Sequence, residues 1–320
     1  MANSKKPGAV ALGQVRAKKK LTREIWKNRW FYLFLLPAVI VIFLFCYKPM
    51  YGIIIAFKDY KPRRGIAGSE WVGLANFKRM FSYANFGQLM YNTLFISLLK
   101  LIIGMFCTLA LALLFNELRN LKFKRAVQSV SYLPHFISWV ILGGLIRELF
   151  SPTRGVINEV IKFFGGEPIY FLANPNYFVF VLILTYVWQS VGWGTIIYLA
   201  AIASIEQEQY ESAVIDGASR FQRAIYITIP CIMPTVATLL ILNLGGVLNA
   251  GFDQIFNLYN EQVYSVADIL DTYVYRVGLI KFDYSYSAAI GLFKNVIGII
   301  LVVASNLAIK KMTKGEYKIW

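Results

Sequence analysis

EQEQYESAVIDGASRFQRAIY, residues 206–226, is a polar segment set between two long apolar stretches, and its reading decides what kind of molecule this is. Residues 208–215 are mostly helix formers and Asp216-Gly217 is a strong turn pair. The segment is therefore expected to fold as a short, protruding helix-turn-helix that breaks at Gly217. Ser212, Ala213 and Ala218 are small enough for a partner surface to approach the backbone closely, while Glu211 offers a charge to a basic cleft. An ordinary polar loop with a glycine turn is the plainer reading of the same residues.

The surroundings favour a membrane. The 320-residue chain is 58% hydrophobic and 16% charged, with a mean hydropathy of +0.54, too apolar for a soluble globule. Six stretches are long enough to cross roughly 30 Å of hydrocarbon at about twenty residues each. They run from Phe31 to Phe57, Tyr91 to Phe115, Val127 to Phe150, Phe178 to Ala203, Ile227 to Ala250 and Ser287 to Ile309. In the first, Lys48-Pro49 predicts that the helix either kinks there or finishes near Tyr47. The basic residues before the first stretch resemble the start of a signal peptide, but the apolar run is too long and has no small-x-small site, so a retained helix is expected. Residues 1–20 read as a disordered tail.

The net charge of +16 is distributed as a bilayer requires. Nineteen of the 33 Lys and Arg residues fall in the N-terminal thirty residues, in 116–126, in 204–226 and after Ile309. The alternate loops hold ten, largely offset by Asp and Glu. The positive-inside rule puts both termini and the Glu211 segment in the cytoplasm, and the basic patches mark the inner leaflet of the lipid bilayer in place of a nucleic-acid surface. Trp26, Trp30, Tyr32, Tyr91 and Tyr177 fall where interfacial belts are expected.

Catalytic chemistry is missing. No phosphate-cradling Gly-x-x-x-x-Gly-Lys-Ser/Thr run occurs, so any ATP must be hydrolysed by another subunit. The lone histidine, His135, has no companions for metal or nucleophilic chemistry and reads as a packed side chain. Cys46, Cys107 and Cys231 lie in apolar stretches as small hydrophobes. No cofactor or metal is indicated. The centres of the six stretches carry neither Asp nor Glu, since Glu117 and Glu148 lie at ends, and this weakens ion-coupled transport.

Between the stretches, residues 58–90 read as a turn-rich loop leading into a short amphipathic helix, and residues 151–177 as short helices punctuated by turns. Residues 251–286 are acidic and rich in tyrosine and read as a solvated outer loop where a partner or sugar meets the protein. Pro37, Pro134, Pro230 and Pro234, with Gly143-Gly144 and Gly245-Gly246, predict kinked helices around a cavity. Trp188, Gln189, Trp193, Asn243, Asn249 and Asn295 are candidates for a sugar path, because indole faces stack on pyranose C–H surfaces while amides bond hydroxyls. Helix–helix hydrogen bonding is an equal use for each amide. Lys100 also falls at mid-membrane depth, and Lys294 is expected to snorkel outward.

The full spacing of the polar segment narrows the choice. Glu211-x-Ala213, three residues, Gly217, nine residues and Ile227-x-Ile229-Pro230 resembles the EAA loop of binding-protein-dependent ABC importer permeases, with Ser212 for the family's central Ala and Ile229 for its Leu. FKDY (57–60), WVGLANF (71–77), YLPHFISW (132–139) and Ala288-x-x-Gly291-Leu292-Phe293 resemble the LplB-like branch, associated with oligosaccharide or polysaccharide uptake. The likeness runs from about Trp30 to the C-terminus.

The resemblance implies an all-α integral membrane protein of six transmembrane helices with the MetI-like, MalF-like fold of type I ABC importers. It divides the chain into a cytoplasmic tail (1–29), a first helix with its outer loop (30–86), a MetI-like core (87–309) whose coupling loop is 204–226, and a C-terminal tail (310–320). It also implies a second homologous permease subunit, a cytoplasmic ABC ATPase dimer, an extracytoplasmic solute-binding protein and a bacterial plasma membrane. Glu211, Ser212, Ala213, Asp216 and Gly217 would dock on the ATPase, whose closure drives alternating access. The alternatives are an uncoupled facilitator or exporter, which needs no charged protruding loop, and a membrane scaffold, which needs no kinked polar cavity.

Overall fold

A computed structural model of the chain describes Glu24 and residues 26–312. The expectations for the two tails fall almost wholly outside these residues. Two compact units divide at Ile54.

The first unit is helical. Helix α1 (Arg29–Ile42) carries Pro37 and continues through a π-turn (Phe43–Tyr47) into Lys48–Met50 and a 3-10 run, Tyr51–Phe57. The chain neither stops at Tyr47 nor breaks at Pro49; the π-turn just before the proline accommodates its missing N–H.

The second unit, residues 55–320, opens with a two-stranded antiparallel ribbon, β1 (Lys58–Asp59) on β2 (Glu70–Trp71), and then the short helix α2 (Ala75–Phe81). Two long helices follow as its spine: α3 (Phe86–Glu117) and α7 (Pro175–Ala203). Asn174 starts α7 by accepting from the Asn176 N–H at 3.0 Å, with Pro175 pre-set at the first position. Both helices are apolar on every side, as buried or lipid-facing helices are. Three of their buried hydroxyls are satisfied within the helix: Thr93, Thr108 and Thr185 each donate to the carbonyl four residues back at 2.7 Å.

One expected span is broken. Residues 127–150 do not form one straight helix; Leu121–Phe136 and Trp139–Leu149 meet at 103°. The first arm is α4 (Leu121–Tyr132) with a 3-10 turn, Leu133–Phe136, and the second is α5 (Trp139–Leu149). Pro134 removes a helical N–H, and Ile137 and Ser138 are extended, so the chain turns sharply there. Beyond α5, α6 (Val156–Phe163) is the short helix expected in residues 151–177.

After α7 come α8 (Gln207–Ile215), α9 (Arg220–Arg223) and α10 (Ile229–Gly245), then α11 (Phe252–Leu258), α12 (Leu270–Tyr275) and the long α13 (Tyr284–Met312). Among the described residues, five helices are long and apolar enough to cross a membrane, or six if the bent pair counts as one span.

Residues 251–286 are not a solvated loop. Ile255, Leu258, Val263, Ala267 and Ile269 join Ile96, Leu142, Ile146, Phe178 and Leu182 in the main core. Asp268 is only 7% exposed, and its carboxylate takes both guanidinium nitrogens of Arg276, at 2.5 and 3.2 Å. Asp271 holds Lys294 at 2.5 and 2.6 Å. Two of the acids that suggested solvent, Asp268 and Asp271, are therefore consumed by basic partners. Lys294 correspondingly does not snorkel, because a carboxylate meets its ammonium within the fold.

Candidate functional site

The polar segment folds as its turn chemistry dictates. Helix α8 ends in a Schellman motif: the Ala218 N–H donates to the Ala213 carbonyl at 2.8 Å and the Gly217 N–H to that of Val214 at 3.1 Å. This closure needs a left-handed residue, which Gly217 supplies at φ +79°. Ser219 and Gln222 then form a reciprocal capping box that starts α9, through bonds of 3.3 and 2.8 Å.

Glu211, Ser212, Asp216 and Gly217 are exposed and Ala213 is half-buried, so four of the five residues singled out in the sequence lie open on one protrusion. Their neighbours Val214, Ile215 and Phe221 are also exposed, Ile215 at 86%. Sequence reasoning passed over these three. The signal was large apolar side chains inside an otherwise polar segment, where no core awaits them.

Side-chain contacts tie the protrusion to the bundle, among them a weak bond from the Cys231 thiol on α10 to Gln209 on α8 at 3.5 Å. Tyr210 on α8 shares a 2.8 Å hydrogen bond with the hydroxyl of Thr228, which is 2% exposed in the turn that leads into α10. Arg220 on α9 reaches Glu117 at the end of α3, at 3.5 Å. α8 is thus tied to the turn that leads into α10, and α9 to α3 through an exposed ion pair.

Between the middles of α3 and α7 and the C-terminal end of α10 lies a cavity of about 510 Å³. Asn243 and Asn249 line it, with Ser97, Lys100, Ser190 and Gln254. Asn295 lines a second cavity of about 700 Å³, which shares Asn249 with the first. Trp188, Gln189 and Trp193 line neither. The face of α7 that meets the first cavity is Tyr186, Ser190, Gly194 and Ile197, spaced by four, four and three residues. The indoles project off that stripe. Trp193 stacks on His135 with ring centroids 5.0 Å apart, and Trp188 is 47% exposed. Gln189 is buried, accepts from Ser190 at 2.5 Å and donates to the His135 carbonyl at 3.5 Å. His135 is thus a packed side chain. Lys100 and Gln254, by contrast, join the polar wall. Gln254 fell in what read as a loop, so no sequence signal placed it beside the helices.

The sequence of this chain matches the family model "Binding-protein-dependent transport system inner membrane component" over residues 100–314. It is 45% identical to the protein LplB of Bacillus subtilis over 285 residues, 89% of this chain and 90% of that protein. It is 46% identical to the polygalacturonan/rhamnogalacturonan transport system permease protein YteP of the same organism, over 95% of this chain and 94% of the relative. Its fold is similar to a chain in the crystal structure of a bacterial ABC transporter involved in the import of the acidic polysaccharide alginate. The TM-score is 0.85 at 39% identity, covering 92% of this chain and 99% of the other. A second structure, of the bacterial alginate transporter in complex with an alginate pentasaccharide-bound periplasmic protein, gives 0.84 at the same identity.

Proposed function

The chain belongs to the family of binding-protein-dependent transport system inner membrane components, and on that footing we propose that it is the permease subunit through which an ABC importer moves an oligosaccharide or polysaccharide across a bacterial plasma membrane. It contributes no catalytic residue of its own. A periplasmic binding protein delivers the substrate, a second homologous permease completes the channel, and a cytoplasmic ATPase dimer supplies the force. Both termini and the α8 protrusion face the cytoplasm, in keeping with the excess of Lys and Arg on that side.

The observation that carries this reading is the α8 element itself. It is a short helix closed by Gly217, with an exposed acid and exposed apolar side chains, hydrogen-bonded through Tyr210 to the start of a candidate span. In the proposed mechanism Glu211, Ser212, Ala213, Asp216 and Gly217 seat in a groove of the ATPase. Closure of the ATPase dimer displaces α8, and the helices rock between inward-open and outward-open states around the polar cavity. The sugar passes Asn243, Asn249 and Asn295, whose amides bond its hydroxyls in turn.

The test is purification of the complex with its candidate partners, followed by ATPase assays with glycan-loaded binding protein and cysteine crosslinking from position 213. The expected result is a crosslink to the ATPase and stimulation by the loaded binding protein. A protrusion labelled only from outside the cell, or one that never captures an ATPase, would overturn the assignment.

A further inference from the structure

Among the described residues of the second unit, Arg276, Lys294 and Lys100 are basic side chains drawn into the fold, and two of them have carboxylates. Arg276 meets Asp268 and Lys294 meets Asp271. The third, Lys100, is 6% exposed and meets none. Its ammonium donates to the Ala250 carbonyl at 2.7 Å and to Gln254 Oε1 at 2.5 Å, and the ring of Tyr186 lies 5.4 Å away. All three are neutral partners. Along α3 the first acid is Glu117, at its far end, and α7, α10 and α13 carry none. Asp253, beside Gln254 in sequence, is exposed.

The surroundings are built around this charge. The amide nitrogen of Gln254 donates to the Leu182 carbonyl and to Thr185 Oγ1, both at 2.8 Å, which fixes its oxygen toward Lys100. Gly251 holds φ +88°, and a Cβ there would stand 2.8 Å from the lysine Nζ. One turn before Lys100, Ser97 also lines the cavity; its Oγ is buried and has no hydrogen-bond partner. A buried lysine amine held only by neutral dipoles, one turn from a cavity-lining hydroxyl with no hydrogen-bond partner, is a setting that favours an anion.

We infer that Lys100 and Ser97 form an anion subsite in the translocation cavity, and that the saccharide it serves carries carboxylates, as uronic acid residues do. This rests on the import reading above and narrows it from saccharides in general to acidic ones. A carboxylate entering the cavity accepts from the free Nζ–H and from Ser97, gaining a charge-assisted pair that a neutral sugar does not.

The experiment compares uptake of oligogalacturonate and of alginate oligosaccharide with their carboxyl-reduced, neutral counterparts, in proteoliposomes holding the complete transporter and its binding protein. Because the binding protein is common to every variant, the acidic-to-neutral uptake ratio relative to wild type isolates the permease. Lys100→Gln is expected to lower that ratio at least tenfold, the scale of one charge-assisted hydrogen bond, and Lys100→Arg to restore most of it. Ser97→Asp sets an internal counter-charge one turn from Lys100 and keeps the lysine, so it serves where Lys100→Gln fails to fold; it is expected to lower the ratio equally. An unchanged ratio in Lys100→Gln and Ser97→Asp, or equal losses for acidic and neutral substrates, would show a lysine that only ties α3 to Ala250 and would overturn the subsite. Wild-type uptake of neutral glycans alone would also overturn it while leaving saccharide import intact. Uptake of no saccharide at all would instead strike the import reading.

Discussion

At Gly217 a single backbone angle decides whether the protrusion exists. Its φ of +79° is open to glycine and costly to other residues, although a Cβ there would touch nothing within 4 Å. Gly217→Ala is therefore expected to fold at a cost of about 1 kcal/mol, all of it backbone strain. Gly217→Pro is a different lesion: proline cannot reach a positive φ, and it deletes the N–H that bonds to Val214. It is expected to leave membrane insertion intact and to uncouple ATP hydrolysis from uptake, measured as sugar moved per ATP in proteoliposomes. Normal coupling would mean that the turn is not the docking element. This residue was legible in the sequence because Asp-Gly after a helical run is punctuation that needs no tertiary knowledge. Trp188 and Trp193 were not legible in the same way. Their chemistry suits a sugar, but only the angular position on α7, set by which neighbours pack, separates the cavity stripe of Ser190 and Gly194 from the faces beside it.

At the level of elements, hydropathy found every long helix, since α3, α7, α10 and α13 each satisfy the length and apolarity that a bilayer imposes. Hydropathy alone missed the sharp bend between α4 and α5, although Pro134 marks a kink there in the sequence. A window average cannot see that the 3-10 turn around Pro134, with Ile137 and Ser138 extended after it, turns the chain by 103°. It misread residues 251–286 for a related reason: charge in a sequence signals solvent unless an opposite charge waits elsewhere, and Arg276 and Lys294 lie 8 and 23 residues from their acids. The buried pairing is testable. Asp271→Asn leaves Lys294, whose side chain is 18% exposed, without a counter-charge, at a cost on the order of 2 kcal/mol. Thermal unfolding in detergent is expected to fall for this variant and to recover most of the loss in Asp271→Asn with Lys294→Met, where both charges are gone. Equal stability of the single variant and wild type would reduce the pair to an ornament of the surface.

Across the whole molecule, the proposed coupling requires that force on α8 reach the helices around the cavity, and its two strongest candidate contacts are unequal. The Glu117–Arg220 pair is long at 3.5 Å, and its side chains are 42% and 50% exposed. Solvent screens such a pair, and its worth is about 0–1 kcal/mol. The Tyr210–Thr228 bond is short at 2.8 Å and ends on a hydroxyl that is almost wholly buried where the chain enters α10. Loss of that bond leaves the buried Thr228 hydroxyl with only a long 3.4 Å bond to the Arg223 carbonyl, and it loosens α8 from the helix that carries Asn243. Tyr210→Phe is therefore expected to lower sugar uptake per ATP severalfold while the ATPase stays bound, whereas Glu117→Gln is expected to change it little. Both ratios can be read in one assay, by measuring uptake and phosphate release in the same proteoliposomes. The reverse order, with Glu117→Gln uncoupled and Tyr210→Phe normal, would mean that motion enters through α3 and that the cavity is opened from the opposite wall.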